Sequence, residues 1–578
     1  MKKILLFVFL CASAILISSP AFSQWSTLAT VNTPVCIATG DQTVTKTSPT
    51  TDGGCYIAWF DQRNGTYAVY LQKLSSIGLP QFAPNGLLIS GNPQSTSLVD
   101  WDMITDDSNN AVIVFTDTRN GTNVNPFAYR ISPAGTFMWG ANGVTLSDSA
   151  NLYQPNPVVS KTSDGNFVVA WNYGSTREKT AMQKLSPTGQ KLWGTAPVMI
   201  AGTGTENIWY PKIVPSDNGG VILMYSGWVG NFLNPSNYKL YTQKFSSAGT
   251  SVWHPERDTI QNLGRIAGFY HPDMISDGNN GAVYLWNDDR FATSQSNVFV
   301  QHYSSTGARY MPVNGSAVGS VNGDIRNTPA VSYMKTTKET YVFWKENNGG
   351  QTLMGFNGQA FDSSGNVKWG VDGKVIRPLS SLSFSTCISK CSDSNAFVYV
   401  NEYTDGVNSL YNGFKFNRDG SYAWPGNAVT AGGTTSSKGY LGAVLTSAKM
   451  SILVWADGRN GGGNDIYAQN INNNGSLGPA VGIGNISGTV PNRFSLGQNY
   501  PNPFNPVTNI KFDIPVSSFV SLEVFDVSGR VVSSLVNDQL SAGSYSVNFN
   551  AEKLSSGIYF YKLSAGSFSE VKKLTLIK

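Results

Sequence analysis

Short apolar runs recur through most of the chain, and each run ends in a polar turn sequence rich in Asp, Asn and Gly. Eight of them end in similar phrases, among them YIAWFDQRNG, VIVFTDTRNG, VYLWNDDR and ILVWADGRNG. The large apolar residue before each turn, here called the anchor, is Trp59, Phe115, Trp171, Tyr225, Trp286, Trp344, Val400 and Trp455 in the eight copies. Successive anchors lie 56, 56, 54, 61, 58, 56 and 55 residues apart, which indicates eight tandem repeats.

A second phrase follows most anchors, as in LQKLSSIG, MQKLSPTG and TQKFSSAG. Shortly after its glycine an aromatic residue returns, as Phe82, Trp139, Trp193, Trp253, Tyr310, Trp369 and Trp424. Each copy holds four short runs rich in Val, Tyr, Phe and Trp; those of the third copy are PNPVVSK, NFVVAWN, TAMQKLS and KLWGTAPVMI. Turn signals such as SDG and PTG separate them, and no run shows a helical period, so we predict four strands per repeat.

Four strands in a repeat of this length are typical of a propeller blade. A lone four-stranded sheet would leave two apolar faces exposed, whereas stacking against neighbouring sheets buries both. We therefore predict an all-β chain: an eight-bladed β-propeller with four strands per blade over residues 24–484, then a small immunoglobulin-like β-sandwich. An open, non-cyclic β-solenoid is the alternative. The anchors are interpreted as packing residues between blades and not as sugar platforms.

The sequence also indicates how such a ring would close. The segment WSTLATVNTPVCIATG resembles WGTAPVMIAG, the fourth run of the third copy, whereas the eighth copy ends weakly after NNNGSLGPAVGIG. We predict that residues 25–40 supply the outer strand of the last blade, so that strands from both ends of the repeat region complete one sheet.

One loop motif invites a functional interpretation. An aspartate and an arginine follow four of the anchors by two and four residues, as Asp61 and Arg63, Asp117 and Arg119, Asp288 and Arg290, and Asp457 and Arg459. If the strands of a blade run outward in order, these loops share a face with the connections between blades, where propellers usually take ligands. Two interpretations follow: each aspartate caps its own loop and pairs with its own arginine, or the pairs form a ligand-facing polar patch.

Bulk composition narrows the function classes. The 578 residues are 41% hydrophobic but only 13% charged, about half the usual share, so Gly, Asn, Ser and Thr supply much of the surface. A formal charge of +4 is small for this length and does not favour nucleic acid as a partner.

The first residues, MKKILLFVFLCASAILISSPAFSQ, combine two lysines, a short apolar stretch and small residues before Gln24. Residues 1–23 are therefore predicted to be a cleaved secretory signal peptide, and no later segment is apolar enough to cross a membrane as a helix. The pairing of the remaining cysteines, Cys36, Cys55, Cys387 and Cys391, is left open.

Catalytic signatures are few. The three histidines, His254, His271 and His302, do not have metal-ligand spacing, and neither H-E-x-x-H nor G-x-S-x-G occurs. We expect no metal and no cofactor, and we interpret His254 and His271, each before a proline, as loop residues. A carboxylate pair for glycoside hydrolysis stays open, because acids can converge in space without a spacing signature.

The repeats end near residue 484. A linker at 485–491 then leads to a segment of different sequence pattern, residues 492–578. Alternating runs such as VSLEVFDV and SYSVNF, with turns at Gly529, Gly543 and Gly557, predict the small sandwich. This segment resembles the type A C-terminal sorting domain of type IX (Por) secretion system cargo, through NYPNPFNP, VFDVSGRVV, AGSY, SGIYFYKL and KKLTLIK. The matching positions include Asn499, Pro501, Asn502, Pro503, Phe504, Asn505, Pro506, Gly529, Gly543, Gly557, Lys572 and Lys573.

That resemblance implies export to the periplasm, passage through the outer membrane by the type IX machinery, and secretion or display at the cell surface. The repeats also resemble uncharacterised propeller-like repeats of such cargo. Two functional hypotheses follow: a binding or adhesion module for extracellular polysaccharide or another surface protein, or a polysaccharide-active hydrolase or lyase with carboxylates on the axis. A purely structural surface layer is a third.

Overall fold

The computed structural model describes residues 25–578 apart from 95–99, 148–150, 175–176, 232–234, 254–256, 267–270, 293–294, 321, 479–483, 488–490, 517, 541 and 553. The predicted signal peptide, residues 1–23, and His254 lie outside the described residues. Strands dominate the described residues, whose one helical element is a single 3-10 turn at Asp217–Gly219.

The repeat region contains β1 to β32. The first strands are β1 (Thr33–Cys36), β2 (Gln42–Pro49), β3 (Cys55–Asp61), β4 (Tyr67–Leu74), β5 (Leu87–Gln94), β6 (Asp102–Thr105), β7 (Ala111–Asp117), β8 (Asn125–Ile131) and β9 (Val144–Thr145). Then follow β10 (Val158–Lys161), β11 (Phe167–Tyr173), β12 (Lys179–Leu185), β13 (Val198–Ile200), β14 (Asn207–Pro215), β15 (Val221–Val229), β16 (Ser236–Phe245), β17 (Asp258–Gln261), β18 (Asp273–Ser276), β19 (Ala282–Ala292), β20 (Gln295–Tyr303) and β21 (Ser316–Ala317). The last are β22 (Ile325–Met334), β23 (Glu339–Asn347), β24 (Met354–Phe361), β25 (Lys374–Ser380), β26 (Ser383–Cys391), β27 (Ala396–Tyr403), β28 (Ser409–Phe416), β29 (Ala428–Ser436), β30 (Lys438–Leu445), β31 (Ser451–Asp457) and β32 (Asp465–Ile471).

Each repeat forms one four-stranded antiparallel sheet with the strands in sequence order, from β2-β3-β4-β5 to β26-β27-β28-β29. The eighth sheet has the order β30-β31-β32-β1, and Thr33 of β1 lies opposite Ala468 of β32. This confirms the prediction that residues 25–40 contribute the outer strand of the last sheet.

The first strands of successive sheets touch one another in a cycle. β2 contacts β6, β6 contacts β10, and the series continues through β14, β18, β22, β26 and β30, which contacts β2 again. These eight strands are called the inner strands below. A series in which each sheet packs on the next and the last packs on the first is propeller-like, and it buries the apolar faces of the sheets in the repeat region.

The anchors pack between sheets, as predicted. All eight are buried with at most 1% of their surface exposed, on the second strand of their sheets. The apolar cluster around Trp59 joins residues of the first and eighth sheets, including Val454 and Cys36, and the next cluster joins the first and second sheets through Phe60 and Trp101. Second strands such as β3 are buried along their whole length because a neighbouring sheet covers each face.

A tryptophan clasp joins successive sheets. The returning tryptophans donate their indole N–H to a turn carbonyl of the next sheet, in the pairs Trp139–Pro187, Trp193–Ser247, Trp253–Ser305, Trp369–Arg418 and Trp424–Asn473. Trp25 makes the same contact with the Ser76 carbonyl at 2.9 Å, so it clasps the last sheet to the first. The turn needs glycine, because Gly78 has a φ of +82° and a Cβ there would lie 2.7 Å from the Trp25 ring. The repeated turn, Ser-x-x-Gly in four of these sheets and Asn-x-x-Gly in the last two, thus accepts the indole N–H of the preceding sheet's tryptophan.

The C-terminal part forms two four-stranded sheets. Its strands are β33 (Gly484–Ser487), β34 (Ser495–Leu496), β35 (Val507–Ile514), β36 (Ser518–Phe525), β37 (Val531–Leu540), β38 (Gly543–Asn550), β39 (Gly557–Ala565) and β40 (Phe568–Leu576). The sheet orders are β33-β38-β35-β34 and β37-β36-β39-β40, and one apolar cluster holds residues of both, including Phe512, Val524 and Leu563. Residues 484–487, which the sequence places at the end of the repeats and in the linker, form β33 of this sandwich because they pair with β38.

The NYPNPFNP segment lies along the free edge of β40. Phe504 donates its N–H to the Thr575 carbonyl and accepts one from Ile577, and the Asn502 carboxamide oxygen accepts the Thr575 N–H. The segment contains two cis peptide bonds, before Pro501 and Pro503. Covering an edge strand with chain that cannot continue the sheet is a common protection against edge-to-edge association. Two separate sorting motifs are thus one structural unit.

The four cysteines of the described chain are free thiols. Burial raises the pKa of Cys36, Cys55 and Cys387 to about 12 and that of Cys391 to about 11, so these thiols stay protonated and unreactive. None of the described helical residues forms a segment long and apolar enough to span a membrane.

Candidate functional site

The predicted Asp/Arg pairs lie inside the sheets. Asp61 is fully buried, accepts the Trp59 indole N–H at 2.8 Å, and binds its own Arg63, whose Nε lies 2.8 Å from Oδ1. The Arg63 guanidinium lies 3.9 Å from the centre of the Tyr70 ring and donates to the Asn85 carbonyl at 2.9 Å. The arginine therefore turns back along its own sheet.

The other three pairs repeat this geometry. Arg119, Arg290 and Arg459 each bind the aspartate two residues before them, at 2.5 Å, 2.6 Å and 2.5 Å. The stacking partners are Phe127, Phe299 and Tyr467, at 3.8 Å, 3.6 Å and 3.9 Å. The carboxylates of Asp117, Asp288 and Asp457 are buried. The four Asp/Arg pairs are therefore separate ion pairs, each within its own sheet. Their use as a ligand-facing patch stays a prediction.

Hydrogen bonds keep the carboxylates of Asp61 and Asp457 ionised. Burial alone would raise the pKa of Asp61, but the bonds from Arg63 and Trp59 outweigh it and hold the pKa below its usual value. The pKa of Asp457 is lowered in the same way by Arg459 and Trp455 against the effect of burial.

Two glutamates occupy the position equivalent to Asp61 but do not fit the Asp/Arg motif of the sequence. Glu346 accepts the Trp344 indole N–H at 2.9 Å and binds Arg326, an arginine from the inner strand of the same sheet. Glu402 lies 3.2 Å from Arg377 of the outer strand. Both glutamates follow their anchors by two residues, so an acid at that position was the detectable signal, whereas the position of the arginine varies.

A different set of residues meets on the inner strands. Fifteen residues before most anchors, or sixteen in the sixth repeat, the chain places Val44, Asp100, Asn156, Tyr210, His271, Thr328 and Tyr440. Positive φ values occur here, at 52° for Val44, 57° for Asn156, 55° for Tyr210, 46° for Thr328 and 52° for Tyr440. The pairing register of the inner strand shifts at this point in β2, β14, β22 and β30. A bulge repeated in this way re-aims side chains at the start of each inner strand.

Charged residues follow two positions later in four of the inner strands, as Lys46, Asp102, Lys212 and Asp273. Each lies opposite the residue that precedes the anchor. Lys46 Nζ binds Asp100 Oδ1 of the next sheet at 2.6 Å, and Lys212 Nζ lies 3.9 Å from Asp273 Oδ1. In the third, sixth and eighth repeats this position holds the uncharged residues Val158, Ala330 and Gly442, so the charges are confined to the first, second, fourth and fifth repeats.

The pKa values of Asp100 and Asp102, at the start of the second inner strand, are shifted in opposite directions. Burial favours the neutral form of Asp100, but the charges of Lys46 and Lys212 outweigh it and lower its pKa. Burial raises the pKa of Asp102, which accepts the N–H of Val159 at 3.0 Å. The pKa of Lys212 is raised despite burial, because Asp273, Asp100 and Asp102 all stabilise its charge.

Two aromatic rings pack against each other beside these charges, at an interplanar angle of 34°. The ring centres of Tyr210 and His271 lie 3.9 Å apart, and Trp209 meets Tyr210 edge-on at 6.2 Å. Burial and then the neighbouring Lys212 lower the pKa of His271 to about 4, so the imidazole is neutral at ordinary pH. Burial raises the pKa of Tyr210 to about 12. His271, interpreted from the sequence as a loop residue, is part of this aromatic pair.

Open space continues from here along the inner strands. A cavity of about 340 Å³ lies between β18, β22 and β26, and its lining includes Asp273, Pro329, Ser332, Cys387 and Lys390. The inner-strand site is thus defined by Asp100, Asn156, Tyr210, His271, Lys212 and Asp273, next to a cavity that a small ligand or one sugar unit could enter.

Glu178, in the turn between β11 and β12, is expected to make the stability of the protein depend on pH. Its Oε2 is buried without a hydrogen-bond partner among the described residues, and burial raises its pKa to about 7. A raised folded-state pKa gives stability that is complete below about 4.5 and is lost as the pH rises through 7. Glu178→Gln should therefore raise the free energy of unfolding by about 1 kcal/mol at pH 8 and leave it unchanged at pH 4.5. The gain is smaller than the whole pKa shift would give, because the side chain is partly open to solvent. Thermal melting at both pH values checks this; equal gains at both would contradict it.

Comparison with known proteins gives one sequence match and several fold likenesses. A search among curated proteins found no match to the chain. A copper-bound fungal alcohol oxidase of the AA5 family is 12% identical, with a TM-score of 0.38, over 83% of this chain and 100% of that one. Penicillium chrysogenum alpha-L-arabinanase, complexed with arabinobiose, is 11% identical over 55% and 92%, with a TM-score of 0.29. The endo-arabinase of Bacteroides thetaiotaomicron is 12% identical over 48% and 96%, with a TM-score of 0.26.

The C-terminal sandwich has a direct counterpart in sequence. Residues 498–578 match the family model described as the secretion system C-terminal sorting domain. The matched range includes both motifs that meet along β40, and it confirms the resemblance drawn from NYPNPFNP and KKLTLIK. Such a tail indicates export, followed by secretion or attachment at the cell surface. The sandwich at the carboxyl end of this chain is a C-terminal sorting domain of the type IX secretion system.

Proposed function

We propose that this chain is exported by the type IX system to the cell surface, where it binds an extracellular carbohydrate at the inner-strand site. The observation that carries the proposal is the aromatic pair of Tyr210 and His271, whose ring centres lie 3.9 Å apart at an interplanar angle of 34°, beside the Asp100 carboxylate. Aromatic faces cover the C–H faces of sugars, and paired carboxylates and ammonium groups bind their hydroxyls. The finer features of the fold belong to the same proposal: a closed ring of eight blades, and an immunoglobulin-like sandwich as the tail.

The distribution of charge supports binding over chemistry. Asp100 is paired with Lys46, and Asp273 lies near Lys212. Asp102 accepts backbone N–H groups from Met103 and Val159, which fixes the carboxylate. Carboxylates held in this way are placed to receive hydroxyl hydrogen bonds without having to reorganise, which favours affinity.

Replacement of the stacking tyrosine tests the proposal. The secreted full-length protein is screened against immobilised plant and bacterial oligosaccharides, and the strongest binder is measured by calorimetry. Tyr210→Ala should weaken that binding about tenfold or more, because it removes the central aromatic contact. Tyr310→Ala, which removes another partly exposed tyrosine away from the inner strands, is the matched control and should bind normally. Wild-type protein without saturable binding to any carbohydrate would reject the proposal.

A polysaccharide hydrolase or lyase is the second candidate. The observation in its favour is that Asp100 and Asp102 have pKa values moved in opposite directions, as expected of a base and an acid. Release of reducing sugar from the bound oligosaccharide, abolished by Asp100→Asn and by Asp102→Asn, would establish it. Binding without turnover supports the first proposal.

A further inference from the structure

The sorting domain leaves one sheet face uncovered. In the sheet β37-β36-β39-β40, alternate residues such as Val524, Tyr561 and Leu574 are buried in the sandwich core, so their neighbours point the other way. The outward apolar residues include Val531, Ile558, Phe560 and Val571, exposed by 47%, 46%, 37% and 54%.

These outward residues form continuous rows across the strands. Val531 lies opposite Phe525, Phe525 opposite Phe560, and Phe560 opposite Lys573, so one row crosses all four strands. The next row runs from Glu523 through Lys562 to Val571. The surface formed by both rows is called the outer face below.

The outer face has the composition of an interaction surface. Phe525 and Phe560 lie side by side on its two central strands, and Val531 and Val571 lie on the two outer strands. An exposed cluster of aromatic and apolar residues is typical of a docking site. Glu523 lies directly opposite Lys562, so the charge left without an opposite neighbour in the two rows is Lys573 on the edge strand, and a complementary partner is apolar with an acidic border. The domain covers the edge of β40 with its own residues 499–506 but leaves this face open.

We propose that the outer face is the surface by which the sorting domain docks on the export machinery, against an apolar site with an acidic border. Ile558, Phe560 and Lys562 lie in SGIYFYKL, and Lys573 lies in KKLTLIK. Two of the five motifs that carry the family resemblance therefore meet on this face. The inference rests on the sorting domain and is independent of carbohydrate binding by the repeats.

The test uses the full chain in a bacterium with a type IX system. Phe560→Glu should reduce the fraction of protein at the cell surface and in the medium about tenfold, with accumulation in the periplasm. Val516→Glu is the matched control, because Val516 is 58% exposed but lies in the turn before β36, and it should be exported normally. Purified Phe560→Glu should keep the wild-type melting curve and carbohydrate affinity.

Export of Phe560→Glu at the wild-type level would overturn the proposal. If that variant melts early, the double variant Lys562→Glu with Lys573→Glu decides instead: retention in the periplasm supports the docking surface, and normal export overturns it. A purified wild type that is dimeric, with Phe560→Glu monomeric, would assign the face to a second copy of this chain and would also overturn it.

Discussion

A chain that begins at residue 37 is expected to melt about 5 °C below a chain that begins at residue 25. The deletion removes strand β1 and exposes the edge of β32. It also removes Trp25, Val35 and Cys36, all of which are buried in the cluster between the first and eighth sheets. Burial of those side chains contributes about 5 kcal/mol.

Polar contacts add to the loss. Asn32 donates to the Ala431 carbonyl at 2.9 Å and accepts from Arg459 at 2.8 Å, which ties the N-terminal segment to the seventh and eighth repeats. Without the N-terminal segment, the Arg459 guanidinium still binds Asp457 but loses its hydrogen bond to Asn32. Because closure involves both ends of the repeat region, the loss should lower the cooperativity of unfolding as well as its midpoint.

The control compares two equivalent tryptophans. Trp25→Ala breaks the clasp between the last and first sheets, and Trp139→Ala breaks the same clasp between the second and third. Each should lower the melting temperature, but Trp25→Ala should lower it more, because continuous chain still connects the second and third sheets. Calorimetry of the three variants checks the order. An intact midpoint after the deletion would show that the ring does not depend on β1.

Removal of the sorting domain is expected to block passage across the outer membrane. A chain that ends at Gly478 should accumulate in the periplasm, with surface protein reduced at least about tenfold, because the matched sorting sequence is absent. The end point lies before β33, since residues 484–487 belong to the sandwich and would otherwise leave an unpaired strand. Cell fractionation with an antibody against the repeats measures the distribution.

The control for that truncation is full-length Tyr210→Ala, which should be exported normally because its change lies in the inner-strand site. The truncated chain should also keep the carbohydrate affinity of the intact protein when it is purified from the periplasm. Its appearance on the cell surface would contradict the assignment of the export signal to the tail.

The repeat made the architecture readable from the sequence. Eight anchors at similar spacing require eight similar environments, and the likeness of residues 25–40 to a fourth strand predicted the pairing of β1 with β32. The C-terminal motifs were equally readable, because several of them fall in one family order. The strand at 484–487 was not, because its partner β38 lies about sixty residues later.

The inner-strand site was hidden for a physical reason. Four of its residues, Asp100, Asn156, Tyr210 and His271, occupy the same position in successive repeats but share no chemistry, so a search for a repeated motif passes over them. The Asp/Arg motif was visible because its residues are similar, and its four members hold their own sheets together. In a repeat protein, similarity between copies marks what every copy needs, and differences at one position mark where the copies cooperate.

Closure of the ring can be measured directly by a disulfide. Thr33 and Ala468 lie opposite each other in β1 and β32 although 435 residues separate them, and facing residues of antiparallel strands are about 5 Å apart at Cα. In a background with Cys36, Cys55, Cys387 and Cys391 replaced by serine, the double variant Thr33→Cys with Ala468→Cys should form that disulfide quantitatively in the folded protein, as identified by mass spectrometry of the linked peptides. A folded protein that leaves both thiols free, or links them between molecules, would contradict a closed ring of eight sheets.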